Sequence, residues 1–242
     1  GALVSSSALP TFLGEWEPSK FRPRAFVEWV LAGSPELAEA SRALNAWIAN
    51  GPDWSELEAL EVDAHTMEKV HEGHPGDSGL LLAIAMHHLR LDVGHGLFVA
   101  PGVAHAYVEG FGLELMLPSD NVLRAGLTTK TRHAEGFLQT AELDGTDAPE
   151  AIIPLTVGSM SLYRGSFMPF ELRRIEGSAP ELTLGQDSVI VVETGHIFAG
   201  QANDLQKVNQ GEVVFAETSD VVRATEPSTR AWIATGHNRS DA

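Results

Sequence analysis

Four side chains whose chemistry is complementary are spaced along residues 101–126, "PGVAHAYVEGFGLELMLPSDNVLRAG". They are His105, Glu114, Asp120 and Arg124. A histidine or a carboxylate can bind a metal ion or transfer a proton. The guanidinium of Arg124 could bind an oxygen-rich ligand or stabilise a developing enolate oxygen, with Asp120 to orient it.

Each of these residues also has a purely structural interpretation. His105 could be a core histidine that is satisfied by a backbone carbonyl. Glu114 could be solvated on an open sheet face or could line a cavity, and Asp120 with Arg124 could form only a polar turn. Spacing alone leaves these alternatives open.

Other motifs in the sequence are weaker candidates for a site. The stretch "HTMEKVHEGH" places His65, His71 and His74 close in sequence, but its spacing is that of ordinary helical neighbours. There is no Walker-type phosphate loop, no G-x-S-x-G and no H-E-x-x-H. The chain has no cysteine, which excludes thiol chemistry and a thiolate metal site.

The charge balance limits the classes of partner. Against 33 acidic residues the 242-residue chain has 16 basic ones, a formal net charge of −17. Nucleic acid and anionic membrane surfaces would be repelled, whereas a local group of Arg and Lys could still bind an anionic small molecule. No apolar run approaches the roughly 18 residues of a membrane span, so we expect a soluble, cytoplasmic protein.

Helical patterns dominate the first third of the chain. Ser34 and Pro35 form an N-cap and a first-turn proline, and apolar residues then recur at helical spacing until Asn50. A second helix is predicted from Asp53 or Ser55, with Leu57, Leu60 and Met67 on its buried face. The stretch "HPGDSGLLLAIAMHH" (74–88) favours a short helix.

Short alternating segments follow and indicate a β-rich fold. We predict strands at "HHLRLDV", "GLFVA", "HAYVEG" and "LELML", then a long polar loop with one short helix near "HAEGFLQTAEL". From about residue 159 to 236, six to eight further strands are predicted. The rhythm is typical of a sandwich or barrel, with a helical region appended.

Three motifs together resemble the type I mannose-6-phosphate isomerases, a cupin-fold family of zinc-dependent aldose-ketose isomerases. They are "HPGDSGLL" (74–81), "GLFVAPGVAHAYVEGFGLELM" (96–116) and "SDNVLRAGLTTK" (119–130). The resemblance implies interconversion of mannose 6-phosphate and fructose 6-phosphate through a cis-enediol. It also implies a helical region at 17–85, the remainder of a catalytic cupin at 86–130, a connection at 131–158 and a C-terminal cupin-like domain at 159–236.

The resemblance also implies roles for individual residues. His105 matches a zinc ligand of the family, Arg124 matches its catalytic arginine, and Glu114, Asp120 and Lys130 match positions at the substrate. The cofactor expected is one zinc ion, and the expected partner is a small sugar phosphate. Thr129 stands where the family's motif has proline.

One departure from the family concerns the metal. The family's other zinc ligands come from "Q-x-H-P" and "K-P-E" segments, and neither pattern occurs in this sequence. We therefore expect that the N-terminal part of the family is missing from the chain. The alternative is a degenerate, metal-free isomerase-like cupin protein with a sugar-phosphate-binding or regulatory role. A third possibility is a structural cupin in which His105 and Arg124 only support the fold.

Overall fold

The computed structural model describes residues 22–55, 62–119, 122–144, 149, 151–165 and 168–236. These residues form two compact units. The first contains the residues up to Arg90 and those from Val99 to Ala148, and the second contains Leu91–Phe98 and the chain from Pro149 onwards. Helices characterise the first unit and antiparallel sheets the second, so the prediction of a mainly β fold with a helical region is confirmed.

The helices of the first unit begin where the sequence provides caps. They are α1 (Pro23–Ala32), α2 (Pro35–Ala49), α3 (Ala64–Gly73), α4 (Gly79–Ile84) and α5 (Ala134–Thr140). As predicted, α2 begins after Ser34, whose hydroxyl accepts a hydrogen bond from the Leu37 N–H at 3.2 Å. A cap of this kind stabilises a helix by about 1 kcal/mol. The helix predicted within residues 74–88 is present as α4, and the one predicted near "HAEGFLQTAEL" is present as α5.

The helical core is made by buried apolar residues of the first four helices, together with Val62 before α3. Its fully buried members include Leu44, Met67 and Leu80, each with no exposed surface. Met67 is buried as predicted, but the prediction that it lies on a helix beginning at Asp53 or Ser55 is wrong. It lies on α3, which begins at Ala64 because Asp63 caps a separate helix there. The predicted core positions Leu57 and Leu60 lie outside the described residues.

The second unit consists of antiparallel strands. In chain order they are β1 (Gly96–Leu97), β2 (Ala151–Ile152), β3 (Leu155–Val157), β4 (Met160–Tyr163), β5 (Phe170–Glu176), β6 (Ala179–Thr183), β7 (Ser188–Thr194), β8 (His196–Gln201), β9 (Asp204–Asn209), β10 (Val213–Ala216), β11 (Val221–Ala224) and β12 (Arg230–Gly236). A six-stranded sheet has the order β10-β7-β12-β5-β4-β3, a four-stranded sheet has the order β6-β11-β8-β9, and β1 pairs with β2. Within the described residues the sheets do not close into a barrel.

The two larger sheets share one apolar core. Ile190 and Ile233 from the six-stranded sheet and Ile197 from the four-stranded sheet have no exposed surface and belong to one cluster. Inward and outward residues alternate along β7 and β12, which is the pattern of strands that cover a core on one face. From Met160 onwards the described residues form nine strands, more than the six to eight predicted.

Three of the strands predicted between residues 87 and 119 are absent. The segments "HHLRLDV", "HAYVEG" and "LELML" have no strand assignment, and only the two residues of β1 represent the segment "GLFVA". That prediction is wrong for a physical reason. Alternating apolar residues favour extended backbone, but a strand exists only where a neighbouring strand accepts and donates its hydrogen bonds. Nothing in the described part of the chain pairs with these segments.

A search of the described residues for membrane-spanning helices gave none that is long and apolar enough.

Candidate functional site

The predicted metal ligand His105 lies in a mostly exposed segment without helix or strand, residues 103–119, which we call the site segment. Its Nδ1 is 2.9 Å from the Val103 carbonyl oxygen. That contact requires Nδ1 to carry the proton, which leaves Nε2 as the atom with a free lone pair. His105 is exposed, so the interpretation as a core histidine is wrong, although the ring does bond a backbone carbonyl.

Tyr107 connects His105 with Glu114. The rings of His105 and Tyr107 meet edge to face with centroids 6.1 Å apart. The phenol O–H of Tyr107 donates a hydrogen bond to the Glu114 carboxylate. Partial desolvation raises the pKa of Tyr107, and the negative charge of Glu114 raises it further. His105, Tyr107 and Glu114 therefore form one group. Glu114 is exposed, but not on an open sheet face, because its segment has no strand assignment.

One side-chain contact connects the site segment with the helical region. The Glu109 carboxylate lies 2.5 Å from His65 Nε2, on helix α3. The hydrogen bond from His65 lowers the pKa of Glu109 below its ordinary value, and the positive charges of Lys69 and Arg90 act in the same direction. From the sequence, His65 is a weak candidate for a metal site. In the structure its ring instead contacts Glu109 of the site segment.

Arg124 and Lys130 lie in the loop of residues 124–132, which we call the arginine loop. The half-buried Arg124 guanidinium donates to the Val122 carbonyl oxygen at 3.3 Å, and no carboxylate in the described part of the chain pairs with it. The Lys130 side chain is exposed, while its backbone N–H donates to Thr128 Oγ1 at 3.1 Å. Asp120 lies outside the described residues.

An open cavity of about 390 Å³ lies next to the arginine loop. Its polar lining includes Ser34, Ser41, Arg42, Asp77 and Arg132. The Arg132 guanidinium forms an ion pair with Asp77. Of the predicted site residues that the structure describes, His105, Glu114, Arg124 and Lys130 do not line this cavity, so it is separate from the group around His105.

Sequence reasoning missed three polar residues that organise the region: Tyr107, Asp77 and Arg132. Tyr107 is two residues from His105, and in extended backbone side chains at this spacing point to the same side. That spacing was the available signal. Asp77 belongs to a recognised motif, "HPGDSGLL", but its partner Arg132 is 55 residues away in sequence. No local pattern indicates a contact at that distance.

The described residues do not by themselves fit a zinc site. A catalytic zinc typically has about three protein ligands. No three histidine or carboxylate side chains are grouped suitably within the described residues. His105 offers one ligand atom, and Glu114 is engaged with Tyr107.

Relatives of known name share substantial sequence with the chain. It is 43% identical over 128 residues to mannose-6-phosphate isomerase from Salmonella typhimurium, which covers 52% of this chain and 33% of that protein. Escherichia coli (strain K12) mannose-6-phosphate isomerase gives the same identity and coverage. In sequence the chain is therefore similar to proteins named mannose-6-phosphate isomerase. An Emericella nidulans relative of the same name is 28% identical over 199 residues, 74% of this chain and 42% of that protein. No family model matches the sequence.

The fold agrees with this relationship. A solved structure of a mutant phosphomannose isomerase from Salmonella typhimurium superposes with a TM-score of 0.68 at 20% identity. The superposition covers 94% of this chain and 57% of that one. The predicted cupin-type fold is therefore confirmed. The chain spans about a third of the length of the two bacterial relatives.

Proposed function

We propose that the protein interconverts mannose 6-phosphate and fructose 6-phosphate. The observation that carries this proposal is the 43% identity over 128 residues to proteins named mannose-6-phosphate isomerase. The superposition on a phosphomannose isomerase structure supports the same fold. The grouping of His105, Tyr107 and Glu114 adds a set of polar side chains on an accessible segment, as a sugar substrate would require.

In the proposed reaction a proton moves between C1 and C2 of the sugar through a cis-enediol. Negative charge develops on the substrate oxygens, and a positioned guanidinium stabilises such charge. Arg124 is suited to this role because no carboxylate in the described part of the chain neutralises it. We assign substrate binding to Glu114, Asp120 and Lys130, with the exposed Lys130 ammonium available to an anionic phosphate.

Zinc dependence is part of the proposal. His105 would contribute one ligand through Nε2, since Nδ1 already bonds the Val103 carbonyl oxygen. When bound, a zinc ion would polarise oxygens of the sugar as a Lewis acid. The proposal requires further ligands in addition to His105, because the described residues contain no complete set.

The test is an isomerase assay on purified protein with mannose 6-phosphate, combined with measurement of its metal content. We expect turnover and about one zinc per active chain, with activity lost on chelation and restored by zinc. Arg124→Ala should lower kcat about a hundredfold to a thousandfold, as loss of an oxyanion-stabilising donor does. Arg124→Lys is the control that retains the charge but loses the planar fork. Turnover that persists without metal would contradict the zinc mechanism.

A metal-free sugar-phosphate-binding protein is the second candidate. The observation that favours it is the lack of a group of three metal-binding side chains within the described residues. Calorimetric titration of a chelator-treated sample with mannose 6-phosphate separates the two functions. Binding without turnover, unchanged by added zinc, would support this candidate, whereas zinc-dependent turnover would exclude it.

A further inference from the structure

Two glycines from distant parts of the sequence bring their backbones into direct contact. A Cβ atom added to Gly126 would lie 3.0 Å from the Gly79 Cα. One added to Gly79, the first residue of α4, would lie 2.9 Å from both the backbone N and the Cγ of Leu127. A side chain at Gly79 would therefore force the Leu127 backbone to shift, and one at Gly126 would be tightly packed against the Gly79 backbone. Gly126 follows Arg124 by two residues, so this contact holds the arginine loop directly after its arginine.

A single carboxylate holds the other end of the same loop. Asp77 Oδ1 accepts a hydrogen bond from the Gly79 N–H at 2.7 Å, while Oδ2 forms an ion pair with Arg132. The Asp77 side chain is only 10% exposed, so solvent screens this pair less than a surface ion pair. Arg132 follows Lys130 by two residues. The turn of residues 76–79, "GDSG", which we call the GDSG turn, thus contacts the arginine loop at two places. One lies shortly after Arg124 and the other shortly after Lys130.

The loop conformation between these contacts is an unfavourable one. Leu127 has a φ of 51°, in the left-handed region that a branched side chain rarely adopts. Its side chain packs against the helical core. Backbone strain of this kind persists only where the surrounding structure determines the conformation, and it is concentrated at functional sites.

One hydrogen bond closes the loop at its base. The His133 N–H donates to the Arg124 carbonyl oxygen at 3.3 Å. From these contacts we infer that the GDSG turn positions the arginine loop, with Asp77 and Gly79 as positioning residues for Arg124 and Lys130. The catalytic consequence of this inference rests on the proposed function, whereas the positioning itself does not.

The first test compares two glycine substitutions by amide hydrogen exchange on the full chain. Gly79→Ala should speed exchange of the amides in residues 124–133 by about tenfold or more, because the loop opens locally. Gly73→Ala is the matched control, since a Cβ at this helical glycine meets no atom within 4 Å. Retained protection of α3 in both variants shows that they fold. Unchanged exchange of residues 124–133 in a folded Gly79→Ala protein would overturn the inference.

The second test asks whether Asp77 and Arg132 act as one unit. Asp77→Asn and Arg132→Gln should each speed exchange of the His133 amide, and the double variant should be no faster than the faster single one. Arg132→Lys should restore much of the protection, because it keeps the charge that faces Asp77. Additive effects of the two single substitutions would contradict a shared role.

The third test connects the positioning with catalysis. In protein that shows isomerase turnover, Gly79→Ala should lower kcat about tenfold and change KM by less than about twofold, as misplacement of a catalytic group does. Gly73→Ala should change neither constant. If the loop loosens but kcat is unchanged, the catalytic part of the inference is wrong. If the unaltered protein has no turnover, the proposed function fails, and the exchange results still decide the positioning.

Discussion

The second unit and the site segment are stabilised in different ways. Strand β12 is paired along its length, with β5 on one side and β7 on the other, and Ile190 and Ile233 are fully buried. The site segment has no strand partner among the described residues, and Phe111 within it is 91% exposed. Burial of apolar surface therefore stabilises the sheets, whereas a small number of polar contacts hold the segment that carries the candidate chemistry.

Two polar contacts connect the candidate site residues' segments with the helical region of the same unit. His65 contacts Glu109 in the site segment, and Asp77 pairs with Arg132 at the end of the arginine loop. Substitutions in the sheets should therefore change the free energy of unfolding with little local effect on the site segment. Substitutions at the polar contacts should alter the site segment or the arginine loop with little change in the free energy of unfolding.

The largest effect on stability is expected in the sheet core. Ile233→Ala should lower the free energy of unfolding of the second unit by about 3 kcal/mol, because it leaves a cavity between fully paired strands. Phe111→Ala is the contrasting variant and should change stability by less than about 0.5 kcal/mol, since it removes an exposed ring. Denaturant unfolding followed by circular dichroism measures both. A loss as large for Phe111→Ala as for Ile233→Ala would refute the comparison.

A smaller, pH-dependent effect is expected at the N-cap of α3. Asp63 accepts hydrogen bonds from the Thr66 N–H and hydroxyl, both at 2.8 Å, and pairs with Arg90. Partial burial raises the pKa of Asp63, but the hydrogen bonds from Thr66 and the charge of Arg90 outweigh it and lower the pKa to about 2. Because the folded pKa lies below the ordinary value, the stabilisation is present above about pH 4 and is lost as the pH falls towards about 2.

Asp63→Ala should therefore lower the free energy of unfolding by about 1 kcal/mol at neutral pH, and the difference should shrink below about pH 4. Asp63→Asn is the matched control, because asparagine also caps helices but does not titrate. It should keep most of the stability at neutral pH and lose the pH dependence. Thermal unfolding at a series of pH values would measure this, and a difference that grows on acidification would contradict the assignment.

The smallest effect concerns the group around His105. Glu114→Gln should lower the pKa of Tyr107 towards its ordinary value, because the negative charge of Glu114 raises it. The chain has two tyrosines, and burial also raises the pKa of Tyr163, so the titration needs a Tyr163→Phe background. Phenolate absorbance against pH measures the shift. No change on removal of the Glu114 charge would show that this contact does not persist in solution.

Local sequence signals predicted the helices well and the strands only in part. The Ser34 cap and the apolar spacing of α2 act within a few residues, so the helix forms where its own sequence places it. Strands are predicted at both "SVIVVET" and "HAYVEG", yet only the first is a strand, β7, because β10 and β12 pair with it. Alternation indicates extended backbone, while strand formation depends on residues far away in sequence.

The same division holds for the candidate site. The sequence motifs indicate His105, Glu114 and Arg124 as candidate site residues, and the roles of these residues are proposals. Tyr107 as the link between His105 and Glu114 became visible only in three dimensions. The contact of Gly79 with Gly126 could not be predicted either, because a glycine in sequence does not show which backbone approaches it.

By itself the sequence determined the residue types available for chemistry, the absence of cysteine, the negative net charge and the helices with local caps. Each of these depends on composition or on neighbours within about one helical turn. Tertiary structure decided which extended segments became strands, that Tyr107 joins His105 to Glu114, and that Asp77 reaches Arg132. The physical reason is that hydrogen-bond pairing and backbone contact between distant segments depend on the packing of the chain.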